Sequence, residues 1–385
     1  MTGSGGPKRL LTIGHSYAVG VNRRLADALA RGGDWDVTVA APRRFHGDFG
    51  WHTLEPVAGE QCTLAPVPVY GGRPVHLMLY GWPLRRLLRE RWDLVHCWEE
   101  PYVAAAAQVA RWTRRGTPLV LATFQNIDKI YPPPFSWLEK YTRSRASGVV
   151  AYGRTIQAVL NDRGWASPSR IIPPGVDTAR FAPDANARAE IRASLGWSDD
   201  IAVVGFLGRF VPEKGILELT STLDRLTSPW RALLVGSGPL EPELRRWAAR
   251  HEGRVAIAPA VPHDEVPRWL NAMDVLAAPS KTTPQWREQF GRMLIEAFAC
   301  GVPVVASDSG EIPHVVADAG LIVGESDDEG WRNAIGILVA DPARRRRLGS
   351  LGRERAVTVF DWTVVARAHL DFFDELLARP AAVHG

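Results

Sequence analysis

The sequence predicts an α/β protein built from two doubly wound units in tandem that face one another across a cleft. Three observations carry this expectation. Short runs of Val, Ile, Leu and Ala alternate with helix-length segments along most of the chain. The alternation stops at a proline-rich stretch, residues 171–184, and then restarts. The length, 385 residues, is enough for two cores of ordinary size.

In the first half, strands are expected at residues 10–14, 36–40, 94–97, 119–123 and 148–151. Between the first two, Leu25, Ala26, Leu29 and Ala30 recur at helical spacing over residues 22–30, and Gly32-Gly33 stops the helix. Residues 81–92 read as a basic amphipathic helix whose Leu84, Leu87 and Leu88 pack inward. Contact of that helix with a membrane surface is the second reading. Pro173, Pro174, Gly175 and Pro183 bar helix and central strand, so 171–184 is the expected linker between a first domain, 1–170, and a second, 185–361. The second domain repeats the rhythm with strands at 202–207, 232–235, 255–258, 275–278, 304–306 and 321–323, and helices at 215–226 and 241–251. Residues 362–377 form an amphipathic helix with Phe372 and Leu376 on its inner side.

Composition narrows the function. With 46% hydrophobic and 23% charged residues the chain is globular, and no apolar run approaches the ~20 residues of a membrane helix. No targeting segment is visible. Cys62, Cys97 and Cys300 are odd in number and lack ligand spacing, which excludes a disulfide framework or zinc knuckle and favours a reducing cytoplasm. The net charge of +4 is not gathered in one tail, so no nucleic-acid partner is expected. No metal site is expected either, because no Asp-x-Asp follows a strand and no histidines cluster.

Two segments carry chemistry. Residues 205–215 end a strand, turn through Gly208 and Pro212, and open a helix, holding Arg209 and Lys214 five residues apart. Two fixed cations there suit a diphosphate, whose leaving charge they neutralise; two exposed basic loop residues are the bland alternative. In residues 283–307, a Trp-bearing loop leads through Phe290-Gly291 into a short helix stopped by Gly301-Val302-Pro303. Gly291 at the helix start lets backbone approach a ligand, and the free amides there form an anion site. Glu288 precedes that site, and Glu296 lies among apolar residues, where an unpaired carboxylate costs several kcal/mol. Carboxylates so spaced can accept hydrogen bonds from sugar hydroxyls on one side of a diphosphate and a ribose on the other. Alternatively, Glu288 is a helix N-terminal charge and Glu296 pairs with Arg292.

Glu288 to Glu296, in the context Glu-Gln-Phe-Gly-Arg-x-Leu-x-Glu-Ala, resembles the E-x7-E signature of retaining, GT-B-fold glycosyltransferases of family 4. Gly208-Arg209 with Lys214-Gly215 resembles that family's phosphate loop, and Gly236-Ser237-Gly238-Pro239 its G-x-G-P turn. Residues 172–177 resemble its linker and residues 309–313 the loop after its next strand. The resemblance implies that Arg209 and Lys214 hold the donor diphosphate with the help of the Phe290, Gly291 and Arg292 amides, Glu288 the hydroxyls of the transferred sugar and Glu296 the ribose. It implies further that the base lies against residues 258–263, including Val261, and that residues 362–385 return to brace the first domain. No metal or prosthetic group is implied; the donor is a nucleotide sugar, with UDP or GDP the expected carriers.

The first half matches that family less well. Where many relatives have a histidine after a Thr-Phe strand end, this chain has Gln125 followed by Asn126. Glutamine can hydrogen-bond a hydroxyl but cannot titrate. His15 and Tyr17 after the first strand, His96, and the Glu99-Glu100 doublet are further acceptor-side candidates, and Tyr131 with its three following prolines a candidate aromatic wall. The implied reaction is front-face transfer, in which the departing phosphate takes the acceptor's proton. The implied acceptor is a sugar, a lipid or a small-molecule scaffold. Two alternatives stay open: a sugar-nucleotide epimerase of the same fold, and a nucleotide-sugar-binding protein without catalysis.

Overall fold

A computed structural model describes residues 6–47 and 50–379. Residues 1–5 of the expected first domain and 380–385 of the expected C-terminal segment lie outside the described residues. The chain divides into two compact units, Met1–Pro173 with Trp362–Gly385, and Pro174–Asp361.

The first unit opens on β1 (Lys8–Ile13), and two 3-10 turns, His15–Ala18 and Gly20–Arg23, lead into α1 (Arg24–Arg31) and β2 (Trp35–Pro42). A ribbon of β3 (Arg44–Gly47) and β4 (Gly50–Thr53) precedes β5 (Thr63–Val67); a second, β6 (Val69–Tyr70) with β7 (Leu79–Tyr80), precedes α2 (Trp82–Leu87). There follow β8 (Leu94–Cys97), α3 (Ala104–Trp112), β9 (Leu119–Thr123), α4 (Phe135–Arg145), β10 (Gly148–Ala151), α5 (Arg154–Asp162) and β11 (Ser169–Ile171). Seven strands pair in parallel in the order β11-β10-β9-β8-β1-β2-β5. Burial on both faces explains why β8, β9 and β10 read as continuous apolar runs. The two strands that the apolar pattern does not show, β5 and β11, are the sheet's edges. Only an edge tolerates Pro66, which has no N–H for a ladder.

Two helices differ from expectation. The first begins at Arg24 rather than 22, because residues 20–23 wind tighter around a buried Arg23. Its guanidinium donates to the carbonyls of Tyr17 and Glu55 and to the Glu60 carboxylate. The basic helix ends at Leu87 rather than 92, where the Trp92 indole donates to the Leu87 carbonyl; Leu84 and Leu88 are buried.

The second unit runs α6 (Ala185–Ser194), β12 (Ala202–Leu207), α7 (Ile216–Asp224), β13 (Trp230–Val235), α8 (Glu241–Ala249), β14 (Val255–Ala258), α9 (Val266–Asn271) and β15 (Val275–Ala278). It continues with α10 (Arg292–Ala299), β16 (Val304–Ser307), α11 (Ile312–Val316), β17 (Gly320–Val323), α12 (Asp328–Ala340) and α13 (Pro342–Arg355). Its parallel sheet has the order β14-β13-β12-β15-β16-β17. From Pro174 onward the proline-rich stretch lies on this unit: the Val176 amide donates to Phe360, and Arg353 donates to the carbonyls of Thr178, Phe181 and Ala299. α6 is tied to the sheet by Asp274, which accepts from Arg188, Arg192 and the Val203 amide. Burial pushes the Asp274 pKa up, but Arg192 and its other donors outweigh it, holding the carboxyl below its usual range.

The chain ends on α14 (Trp362–Ala378), which contributes Val365, Phe372, Phe373 and Leu376 to the first unit's core and packs beside α1. His369 of α14 lies 6.0 Å, ring to ring, from His96 of β8; both are fully buried. Burial lowers the pKa of His96 to about 3 and of His369 to about 4, so both are neutral in the fold. In the unfolded chain each protonates near 6.5. Below that value the unfolded state binds more protons, so stability is full above pH 6.5 and falls as the pH drops toward the folded values. We predict a loss on the order of 2 kcal/mol per histidine between about pH 6.5 and 4.5. Urea denaturation across that range should show it, and His369→Phe should remove about half of the slope.

Candidate site at the switch point of the second sheet

In the second sheet, β12 is flanked by β13 on one side and β15 on the other, and the connections leave in opposite directions. The turns after β12 and β15 therefore part at the carboxyl end of the sheet and leave a crevice there. Lys214 lies in the turn after β12 and Glu288 in the loop after β15. They meet: the Lys214 Nζ donates to Glu288 Oε2 at 2.5 Å, and Ser280 Oγ donates to the same oxygen at 2.9 Å. The ammonium also lies over the Trp286 ring, 5.0 Å from its centroid. Glu288 is 7% exposed, so its charge requires such partners.

Backbone contact brings the loops this close. Gly215 has φ +64°, and a Cβ there would lie 1.8 Å from the Pro279 carbonyl oxygen. Gly236 has φ +153°, and its Cβ would lie 1.9 Å from the Gly208 oxygen. The G-x-G-P turn can thus lie against the β12 turn, where the Phe210 amide donates to Ser237 and the Leu240 amide to Phe210. On the other side, the Glu311 amide donates to the Glu288 carbonyl, so the loop after β16 supports the carboxylate's backbone.

Gly291 is the N-cap of α10, and no side chain caps it among the described residues, so the first amides of the helix, beginning at Arg292, open onto the same loop. Phe290 is buried, against Phe360. Glu296, one turn into α10, takes its hydrogen bond from His263 Nε2 at 3.0 Å rather than from Arg292, the partner that i, i+4 spacing offers. His263 belongs to the loop after β14, with half-buried Val261. Arg209 is more exposed than Lys214 and pairs with Glu213 at 3.8 Å. Ser280 and Thr282 lie in none of the motifs, although Ser280 bonds to Glu288 and Thr282 to Ser309 of the 309–313 loop. The signal for them is their position just beyond the end of β15.

In the first unit, His15 and Glu99 come together: the His15 amide and Nδ1 donate to the two Glu99 oxygens at 2.7 and 2.6 Å. Glu100 turns away and joins strand ends, accepting from Thr123 Oγ1 and the Phe124 amide; burial pushes its carboxyl up to about 7. Tyr17, expected on the acceptor side, is instead fully buried, with its hydroxyl on Thr12. His96 is likewise a core residue. Gln125 donates its side-chain amide to the Ile127 carbonyl of its own loop, and Asn126 is buried. Tyr131 stacks on Tyr102 at 4.1 Å. Among the described residues no three His, Cys, Asp or Glu side chains gather as metal ligands, and no helix is long and apolar enough to cross a membrane.

Two family profiles match the chain: glycosyl transferases group 1 over residues 187–355, and glycosyltransferase family 4 over residues 19–180. The chain is similar to the GDP-mannose-dependent alpha-(1-6)-phosphatidylinositol monomannoside mannosyltransferase of Mycolicibacterium smegmatis, 36% identical over 239 residues, 59% of this chain and 58% of that protein. It is 33% identical to the D-inositol 3-phosphate glycosyltransferase of Kineococcus radiotolerans over 274 residues, 64% of this chain and 61% of that one. To the alpha-maltose-1-phosphate synthase of Mycobacterium tuberculosis it is 30% identical over 266 residues, 63% and 67% of the two chains. The matches thus span little more than half the length of the first two relatives. Among solved structures, Anabaena HepE in complex with UDP and glucose has a TM-score of 0.73 at 20% identity, covering 96% of this chain and 100% of that one. A glycosyltransferase from Rickettsia africae has a TM-score of 0.75 at 16% identity, covering 97% and 100%. At these identities the likeness is one of fold, the GT-B fold.

Among the described glycines, a Cβ at Gly215 would meet its neighbour at the shortest distance. Gly215→Ala should lower stability by about 3 kcal/mol or more. Gly253→Ala, with φ +73° but open space around its Cβ, should cost about 1 kcal/mol. Thermal and urea unfolding of the two variants checks the difference.

Proposed function

This chain belongs to the group 1, family 4 glycosyl transferases, and from that premise we propose that it moves a sugar from a nucleoside-diphosphate sugar to an acceptor hydroxyl. The observation that carries the reading is the Lys214–Glu288 pair at the switch point of the second sheet, beside the uncapped start of α10. A diphosphate supplies what this site needs. Its charge takes over the Lys214 ammonium and meets the α10 amides and Arg209, while Glu288, released from Lys214, accepts from hydroxyls of the sugar. Glu296, oriented by His263, accepts from the ribose hydroxyls, and the base lies against the loop of Val261. Gly208 and Gly236 keep that floor free of side chains.

As the bond from the anomeric carbon to the diphosphate breaks, its electron pair moves onto the leaving phosphate, and fixed cations stabilise that charge without reorganisation. In this reading Arg209 and Lys214 do what a divalent metal does in other phosphate sites. The transfer is retaining, with attack from the face the diphosphate leaves. The relatives include a GDP-mannose-dependent enzyme, and a structural neighbour was solved with UDP. Both carriers are therefore test arms, and a hydroxyl of a polyol or sugar is the proposed acceptor.

A thermal-shift screen against UDP-, GDP-, ADP- and dTDP-sugars is expected to give one carrier that raises the melting temperature. With that donor, Lys214→Ala and Glu288→Ala should each lower transfer by roughly 10²-fold or more while the chain stays folded. The product's anomeric configuration, read by NMR, should match that of the donor. Absence of stabilisation by every carrier, together with variants as active as wild type, overturns the reading.

A further inference from the structure

The basic helix α2 has no part in the site described above, and the structure extends it into a larger surface of the first unit. Trp82, Arg85, Arg86 and Arg89 recur at i, i+3, i+4 and i+7. They therefore share one side of α2 and of the turn that ends it, while Leu84 and Leu88 are buried on the other. Trp82 keeps 53% of its surface exposed. The Arg85 guanidinium lies over its ring at 4.2 Å, and the Trp112 ring of α3 meets it edge-on at 6.4 Å. The β6–β7 ribbon continues this surface. Tyr70 and Leu79 are opposed in its register and are 65% and 42% exposed, whereas Tyr80, on the inner face, is buried. Gly81 joins ribbon to helix: its amide donates to the Pro68 carbonyl at 2.7 Å, and a Cβ there would lie 3.3 Å from the Tyr70 ring.

The Gln108 side chain of α3 donates to and accepts from the Tyr80 backbone, which fixes α3 beside the ribbon. Arg111, Arg114 and Arg115, all exposed, lie at its C-terminal end, and the Arg114 guanidinium reaches the Arg89 carbonyl at 3.5 Å. Residues 68–92 and 104–118, which carry this surface, contain one acidic residue, Glu90, and Arg9 pairs with it at 3.2 Å. Among the described residues no carboxylate pairs with the six arginines of α2, α3 and the turns that follow them. Positive charge that internal pairing does not use, set around exposed aromatic and aliphatic side chains, calls for a partner that is both anionic and apolar. A nucleic acid supplies phosphates but gives Leu79 nothing to bury against. The surface of a bilayer with anionic lipid supplies both: phosphates at the level of the guanidinium groups and, just beneath, the acyl boundary that takes Trp, Tyr and Leu side chains.

We propose that this face, built from α2, the β6–β7 ribbon and the end of α3, docks the first unit onto the surface of an anionic lipid bilayer. The arginines meet lipid phosphates, and Trp82, Tyr70 and Leu79 enter the boundary between headgroups and acyl chains without any segment crossing the bilayer. Each arginine near an anionic surface multiplies binding roughly fivefold, and the apolar side chains add to it, so the attachment is reversible and weakens with salt. Docking of this kind involves the first unit alone and is independent of the transfer reaction proposed above.

The test is sedimentation of the full chain with vesicles of phosphatidylcholine alone or with about 30% phosphatidylglycerol. Wild type is expected to bind the anionic vesicles at about 0.1 M salt, to leave them at about 0.5 M, and to pass over the neutral ones. Arg85→Gln, Arg86→Gln and Arg89→Gln combined should lower partitioning by roughly 10²-fold with the melting temperature unchanged. Arg111→Gln with Arg115→Gln, on the neighbouring helix, should lower it by roughly 20-fold and repeats the test should the first variant be unstable. With brominated acyl chains, tryptophan emission should fall on binding, and Trp82→Phe should remove about half or more of that quenching. No binding to anionic vesicles, arginine variants that bind as wild type does, or quenching unchanged in Trp82→Phe overturns the proposal. Tighter capture by an oligonucleotide than by the anionic vesicles also overturns it and assigns the face to a nucleic acid.

Discussion

The ion pair between Lys214 and Glu288 is the interaction on which the second unit's site depends. It joins the turn after the strand at 202–207 to the loop after the strand at 275–278, and these are the two strands between which the sheet changes direction. Parallel sheets built from right-handed crossovers leave a crevice at that place, whatever their sequence. What the sequence adds is a cation and a carboxylate on opposite sides of it, brought within 2.5 Å by glycines that let backbone lie against backbone. A buried pair of this kind adds little to stability, since desolvation consumes most of the attraction. Its worth lies in what can replace it: a ligand carrying both negative charge and hydroxyls satisfies both partners at once.

The first unit repeats the arrangement with different chemistry. His15 and Glu99 occupy the corresponding ends of its central strands, but an imidazole stands where the second unit has an ammonium. An ammonium is a fixed charge near neutral pH, whereas an imidazole beside a carboxylate can gain and lose a proton there. One topology thus sets a fixed cation beside a carboxylate in one unit and a titratable one beside a carboxylate in the other. The two histidines buried behind the first sheet, His96 and His369, show the opposite limit, where burial without a carboxylate suppresses protonation.

Much of this was legible in the residues. Strands buried on both faces were plain as continuous apolar runs; Arg209, Lys214, Glu288 and Glu296 stood out by spacing, and Gly236 by the resemblance of its turn to the family's G-x-G-P. The edge strands at 63–67 and 169–171 were not, because an edge tolerates proline and polar residues that hide the pattern. Partners were harder than residues. Glu296 had to have one, and local spacing offered Arg292, yet the bond comes from His263, 33 residues away. Tyr17 and His96 looked like site residues because they neighbour strand ends; side-chain direction put both into the core.

The sequence by itself determined the alternation of strand and helix, the two units, the glycines at the turns and the identity of the charged residues, since each is written in local periodicity or local backbone demand. Only the tertiary structure decided which of those charges meet. Lys214 and Glu288 are separated by 74 positions and His15 and Glu99 by 84, and such pairings follow from strand order, which no local pattern encodes. The physical reason is that periodicity reports which face of an element is buried, whereas the partner across a crevice depends on how crossovers wind the sheet.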